Sequence, residues 1–251
     1  VTIARPESRA YRAVAWIARH LMFAIAKYEW SGAEHLPTSG GFIAAANHAT
    51  ELDAVTFAHY LFDQGYEPRV LAKRGIFTTP VIGALVRATK MIPVDRGSAG
   101  AARSLEAARE QLEQGACIAI FPEGTLTRDP DLWPMTGKTG LARIALATRA
   151  PVIPVAQWGA GDILERYGRV PRLWPRKRVR VAAGPAVDLS DLYDRPQDAA
   201  TLREATMRVM NAITAELEKL RGEKAPATRF DLRLHPEYAT KQKTYPPVER
   251  P

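Results

Sequence analysis

The chain has 251 residues, a formal net charge of +8 and a hydrophobic content of 46%. That length holds one large α/β domain with its own core, or at most two small ones. The single cysteine, Cys117, excludes an intrachain disulfide and a cysteine-rich metal site. The positive charge suits nucleic acid, an anionic membrane surface or small phosphorylated substrates. Neither zinc-finger spacing nor the aromatic strand signature of an RNA-binding sheet accompanies it, so no nucleic-acid partner is expected.

Residues 9–30 read as a helix with a broad apolar surface that includes Trp16, Ile17, Leu21, Met22 and Tyr28. Arg19 and His20 break the apolar stretch. A membrane crossing needs about 20 apolar residues, so neither a crossing nor a cleavable signal peptide is expected here. Two placements stay open: an amphipathic helix lying in one leaflet, or a helix facing the core. Trp30 to Gly41 reads as a loop.

A buried strand follows, Phe42 to Ala46, and it ends abruptly in Asn47-His48. Helical pattern resumes at Leu52, which puts Asp53 in the first turn. A bend between His48 and Asp53 would bring the carboxylate to one imidazole nitrogen and leave the other facing a cleft as a general base. Taken alone, Thr50 to Asp53 also reads as an ordinary helix start, with Thr50 as the cap.

Further strands are predicted at Arg69–Ala72, Met91–Arg96 (ending in charge), Ala116–Phe121 and Val152–Val155, with a last one at Arg178–Ala182. Short helices are expected within Ile76–Ala88, and longer ones at Ala54–Phe62, Ala99–Gln114, Lys138–Arg149 and Thr201–Leu220. His59 reads as a packed or surface histidine, and Cys117 as a buried, inert thiol. Strands alternating with helices imply an α/β fold with a mostly parallel central sheet flanked by helices. Ligands in such folds bind beyond the carboxyl ends of the strands. His48, Lys73, Arg96 and Glu123 each follow directly on a predicted strand.

The stretch 164–180 is strongly basic, with Tyr167 and Trp174 among its arginines. It reads either as a solvated charge run or as a patch docking on anionic lipid. The organisation expected is an N-terminal membrane-surface helical segment (1–30), a catalytic domain (31–221) and an extended C-terminal tail (222–251).

Four blocks stand in order: Asn47-His48 with Asp53; Ile92-Pro93-Val94-Asp95-Arg96; Phe121-Pro122-Glu123-Gly124-Thr125; and Pro151-Val152-Ile153-Pro154-Val155. Together they resemble the PlsC-like glycerolipid acyltransferases over roughly residues 30–190. Lys138-Thr139-Gly140 also looks like that family. One departure is Leu126, where the family often has arginine, and Arg128 stands two places later.

The resemblance implies that His48 is the general base and Asp53 its orienter. It implies that Arg96, helped by Lys73, binds the acceptor's phosphate. Glu123, Gly124 and Thr125, with Asn47, Arg128 and Lys138, would complete the substrate site. The implied reaction moves an acyl group from acyl-CoA, or an acyl carrier protein, to 1-acylglycerol-3-phosphate, giving phosphatidate. Neither a metal nor a bound cofactor is implied. The expected location is the cytoplasmic face of the cell membrane, held peripherally or monotopically. Alternatives are the same chemistry on another lysophospholipid, on glycerol 3-phosphate or on a glycolipid. A more distant one is a non-catalytic protein that binds anionic lipid or nucleic acid through residues 164–180.

Overall fold

The computed structural model of the protein describes residues 9–89, 91–94 and 98–248. Its centre is a seven-stranded sheet built from β1 (Ala26–Ser31), β2 (Phe42–Ala46), β3 (Pro68–Lys73), β4 (Ile92–Val94), β5 (Cys117–Ile120), β6 (Val152–Trp158) and β7 (Lys177–Ala183). The spatial order is β1-β7-β6-β2-β5-β3-β4. The run from β6 to β4 is parallel. β7 returns antiparallel to β6, and β1 lies parallel to β7. Among the described residues six helices accompany the sheet: α1 (Arg9–Ile25), α2 (Asp53–Asp63), α3 (Pro80–Ala88), α4 (Ser98–Glu113), α5 (Gly140–Thr148) and α6 (Ala199–Arg221). The mostly parallel α/β architecture expected from the sequence is what forms.

β2 is the middle strand, and its side chains alternate between two buried faces. Phe42, Ala44 and Ala46 pack with Phe57, Tyr60 and Leu61 of α2. Ile43 and Ala45 pack with Ala142 and Ala145 of α5 and Val209 and Ile213 of α6. The small alanines at the end of β2 leave room for both helical layers to close around the point where His48 emerges.

The helix expected over 9–30 is shorter than that reading. It ends at Ile25, and Ala26–Ser31 becomes an edge strand. Ala26, Tyr28 and Trp30 turn inward while Lys27, Glu29 and Ser31 are exposed, a period of two that suits a strand. Pairing of this segment with β7 overrides the helical pattern. Among the described residues the C-terminal tail has no regular structure beyond a short turn at Pro236–Tyr238, and Phe230, Tyr238 and Tyr245 are buried together with Met135. No helix among the described residues is long and apolar enough to cross a membrane.

His59 proves to be packed. Its ring lies 4.8 Å from Phe23, 4.8 Å from Tyr28 and 5.2 Å from Trp30, all edge-on. Neither ring nitrogen has a hydrogen-bond partner among the described residues. Burial pushes its pKa down from 6.5 to about 4, against the pull of Asp63. The unfolded chain therefore binds more protons than the folded one between these values. The stability this group contributes is present above about 6.5 and is lost as pH falls toward 4. His59→Phe is expected to lose less thermal stability than wild type between pH 7 and pH 5, which unfolding curves at the two pH values would show.

Candidate active site

β2 stops where its neighbours' loops begin, and the chain turns sharply through Asn47-His48-Ala49-Thr50 into α2. Asp53 is the first residue of that helix. Its carboxylate folds back over the turn. Oδ2 accepts the backbone N–H of Ala49 and, at 2.7 Å, that of Thr50. The same oxygen lies 3.4 Å from His48 Nδ1. Thr50 Oγ1 accepts the N–H of Leu52 at 3.2 Å, so Thr50 shapes the turn instead of capping the helix. Asp53 is buried and His48 half-buried. With Nδ1 toward Asp53, Nε2 lies on the opposite edge of the ring, where a base must be to meet a substrate. Carboxylate–imidazole pairs without substrate are often this long and tighten on binding.

Three further contacts fix the imidazole. The ring stacks on Phe121, with centroids 4.0 Å apart and planes 18° from parallel. The His48 N–H donates to Glu123 Oε1 at 3.0 Å, and the His48 carbonyl accepts the N–H of Thr127 at 2.7 Å. Both backbone polar groups of His48 are therefore clamped by the turn that follows β5. Glu123 Oε2 accepts the N–H of Met135 at 3.1 Å, so one buried carboxylate joins the histidine to the loop beyond.

Burial raises the pKa of Glu123 from 4.5 to about 8, helped by the nearby Asp53 and opposed by the two backbone N–H groups and Arg229. The folded chain thus holds this proton more tightly than the unfolded one. The contribution is full below about 4.5 and is lost as pH rises toward 8. Glu123→Gln cannot titrate, and its amide leaves one of the two N–H donors without an acceptor. It should be less stable by about 1–3 kcal/mol at acidic pH. The gap to wild type should shrink as pH rises from 5 to 8, which denaturant titrations at each pH would read.

The other expected site residues fall into three groups. Gly124, Thr125 and Lys138 gather around Glu123. Gly124 has a φ of +68°, and a Cβ there would lie 3.1 Å from the Lys138 side chain, so the lysine lies across a position that favours glycine. Lys73 is the last residue of β3. Arg96 lies outside the described residues. Asn47 and Arg128 are placed differently from the expectation. Asn47 is buried, and its side chain exchanges two bonds with the backbone of Gln157 at 2.8 and 3.0 Å. Gln157 in turn donates to the Asn47 carbonyl and accepts from Thr56. Asn47 therefore locks β2 to β6 instead of facing a substrate. Arg128 is buried under two tyrosines and donates Nη1 to the hydroxyls of Tyr167 and Tyr245. It pins the C-terminal segment to this loop.

Gln157, Tyr167 and Tyr245 are site-supporting residues that sequence reasoning missed. A cavity of about 1080 Å³ opens between this loop, α6 and residues 225–233, and it reaches Glu123 and Thr125.

A histidine paired with a carboxylate, at the carboxyl end of the middle strand of a mostly parallel α/β sheet, is an arrangement able to take a proton from a hydroxyl. The family model described as Acyltransferase matches residues 27–158, and the chain belongs to that family. The resemblance read from the four blocks is thereby borne out. A 1-acyl-sn-glycerol-3-phosphate acyltransferase of Bacillus subtilis is 25% identical over 189 residues, 74% of this chain and 88% of that protein. A chloroplastic enzyme of the same name from Brassica napus is 33% identical over 140 residues, 55% of this chain but only 39% of its own length. The crystal structure of the PlsC acyltransferase from Thermotoga maritima shares the fold, with a TM-score of 0.64, 21% identity, and coverage of 86% of this chain and 81% of that one.

Proposed function

We propose that the protein transfers a fatty acyl group from an acyl thioester, acyl-CoA, to the sn-2 hydroxyl of 1-acylglycerol-3-phosphate, giving phosphatidate on the cytoplasmic face of the cell membrane. The observation that carries this is the His48–Asp53 pair, clamped through Glu123 at the end of β2. The names of the Bacillus and Brassica relatives support the choice of acceptor.

In this reading His48 Nε2 takes the proton of the acceptor hydroxyl as its oxygen attacks the thioester carbonyl. Asp53 holds the Nδ1–H tautomer and stabilises the imidazolium. The tetrahedral intermediate collapses, the carbon–sulfur bond breaks, and the departing thiolate receives the proton from His48. Thiolate is a good leaving group, so the step asks for no stronger acid. Arg96 and Lys73 hold the acceptor's phosphate through charge-assisted hydrogen bonds, and Lys138 and Thr125 line the approach.

The test identifies the product by mass spectrometry after incubation with 1-acylglycerol-3-phosphate and either acyl-CoA or an acyl carrier protein donor. Phosphatidate formed from the CoA donor is the expected result. Arg96→Ala should raise the acceptor KM about 10–100-fold, the loss of one charged hydrogen bond. An unchanged KM would remove phosphate recognition from the account.

A further inference from the structure

The reaction above leaves unused the loop between residues 164 and 176. Its base is firmly built. Arg166 is buried and donates to the carbonyls of Thr127 and Asp129 at 2.8 and 2.9 Å. The N–H of Arg172 donates to the Ile163 carbonyl at 2.7 Å. Its tip is the reverse: Val170 is 81% exposed, Trp174 85% and Leu173 44%. Large apolar side chains on an ordered loop carry a solvation cost, and a tryptophan among arginines suits the boundary between headgroups and acyl chains.

Charge complements the apolar tip. A space of about 310 Å³ beside it is lined by Arg169, Arg172 and Lys243 and by one carboxylate, Glu165, which pairs with Arg172 and lies 3.8 Å from Lys243, so three cations face a single acid. A second apolar set, Trp16, Ile17 and Leu21, each 60% exposed, lies on α1. Arg176 ties that helix to the loop, donating to the carbonyls of Phe23 and, at 2.7 Å, Ala26. The loop is also fastened beside the catalytic turn. The Tyr167 N–H donates to the Glu51 carboxylate at 3.1 Å, and its hydroxyl meets Arg128 and Thr125.

We propose that residues 169–174 dock on an anionic bilayer, with Val170, Leu173 and Trp174 inserted at the interface and Arg169, Arg172 and Lys243 receiving a phospholipid phosphate beneath them. Docking there sets the bilayer against the strand edge that bears His48, so a lysolipid acceptor meets the base without leaving the membrane. This rests on the acyltransferase reading for its purpose but not for its measurement.

The experiment is flotation of the full chain with phosphatidylcholine vesicles containing or lacking phosphatidylglycerol. It compares wild type, Val170→Asp/Trp174→Asp and Arg169→Ala, with transfer to a short-chain, monomeric 1-acylglycerol-3-phosphate assayed in parallel. Wild type should partition to the anionic vesicles. The double variant should bind at least about tenfold more weakly, and Arg169→Ala about fivefold more weakly. Both variants should keep wild-type transfer to the monomeric acceptor, which shows them folded. Wild-type partitioning by the double variant would overturn the proposal. So would a wild-type dimer in gel filtration that the double variant dissolves, since the patch would then be a self-interface. Docking that follows these expectations in a chain without transfer activity would sink the enzymatic reading and leave the docking surface standing.

Discussion

His48→Ala will lower acyl transfer by about 10²–10⁴-fold, the usual range for a positioned general base, and leave the fold nearly intact. An acceptor alcohol with a pKa far above neutrality is a poor nucleophile until its proton is taken. An imidazole held in one tautomer by a carboxylate is suited to take it. The ring stacks on Phe121 and faces Asp53. Losing such a stack costs about 0.5–1.5 kcal/mol, so the variant should unfold cooperatively only slightly below wild type. Its binding to anionic vesicles should be unchanged, because the backbone bonds to Glu123 and Thr127 survive the substitution. Steady-state transfer rates alongside a thermal melt separate the two effects. A comparable fall in stability would mean the histidine is structural.

Asp53 should split into two phenotypes according to the replacement. Asparagine can keep its oxygen on the backbone N–H groups of Ala49 and Thr50 and toward His48 Nδ1 while its amide faces Thr50 Oγ1, which lies 3.4 Å from Asp53 Oδ1. Asp53→Asn should therefore fold with stability within about 1 kcal/mol of wild type. Without the negative charge the imidazolium is left unsupported, so transfer should fall by about 10²-fold or more. Asp53→Ala strips the acceptor from two buried N–H groups, each worth about 1–3 kcal/mol when left unpaired. That variant should be both inactive and clearly destabilised. Equal stability of the two variants would show that the carboxylate does not hold the turn.

The turn that pairs His48 with Asp53 is legible in the sequence because it depends on local spacing. His48 and Asp53 are separated by one tight turn, and Glu123 follows a strand whose apolar run is unmistakable. What was not legible depends on partners far along the chain. Ala26–Ser31 carries enough apolar residues to continue a helix, and only pairing with β7, about 150 residues later, makes it a strand. Asn47 looks like an active-site residue because it precedes His48. The partner that absorbs its polar atoms, Gln157, lies 110 residues away. Phe230, Tyr238 and Tyr245 are spaced without period, so no pattern announces that they close over Met135. Arg128 reads as a charge for the acceptor because sequence shows a side chain's charge but not the tyrosines that cover it.

Release of free thiol from palmitoyl-CoA, with and without 1-acylglycerol-3-phosphate, on wild type and His48→Ala, tests the central claim most directly. The account predicts acceptor-dependent release by wild type that disappears in the variant. Equal release with and without acceptor, or acceptor-dependent release that survives His48→Ala, would contradict it.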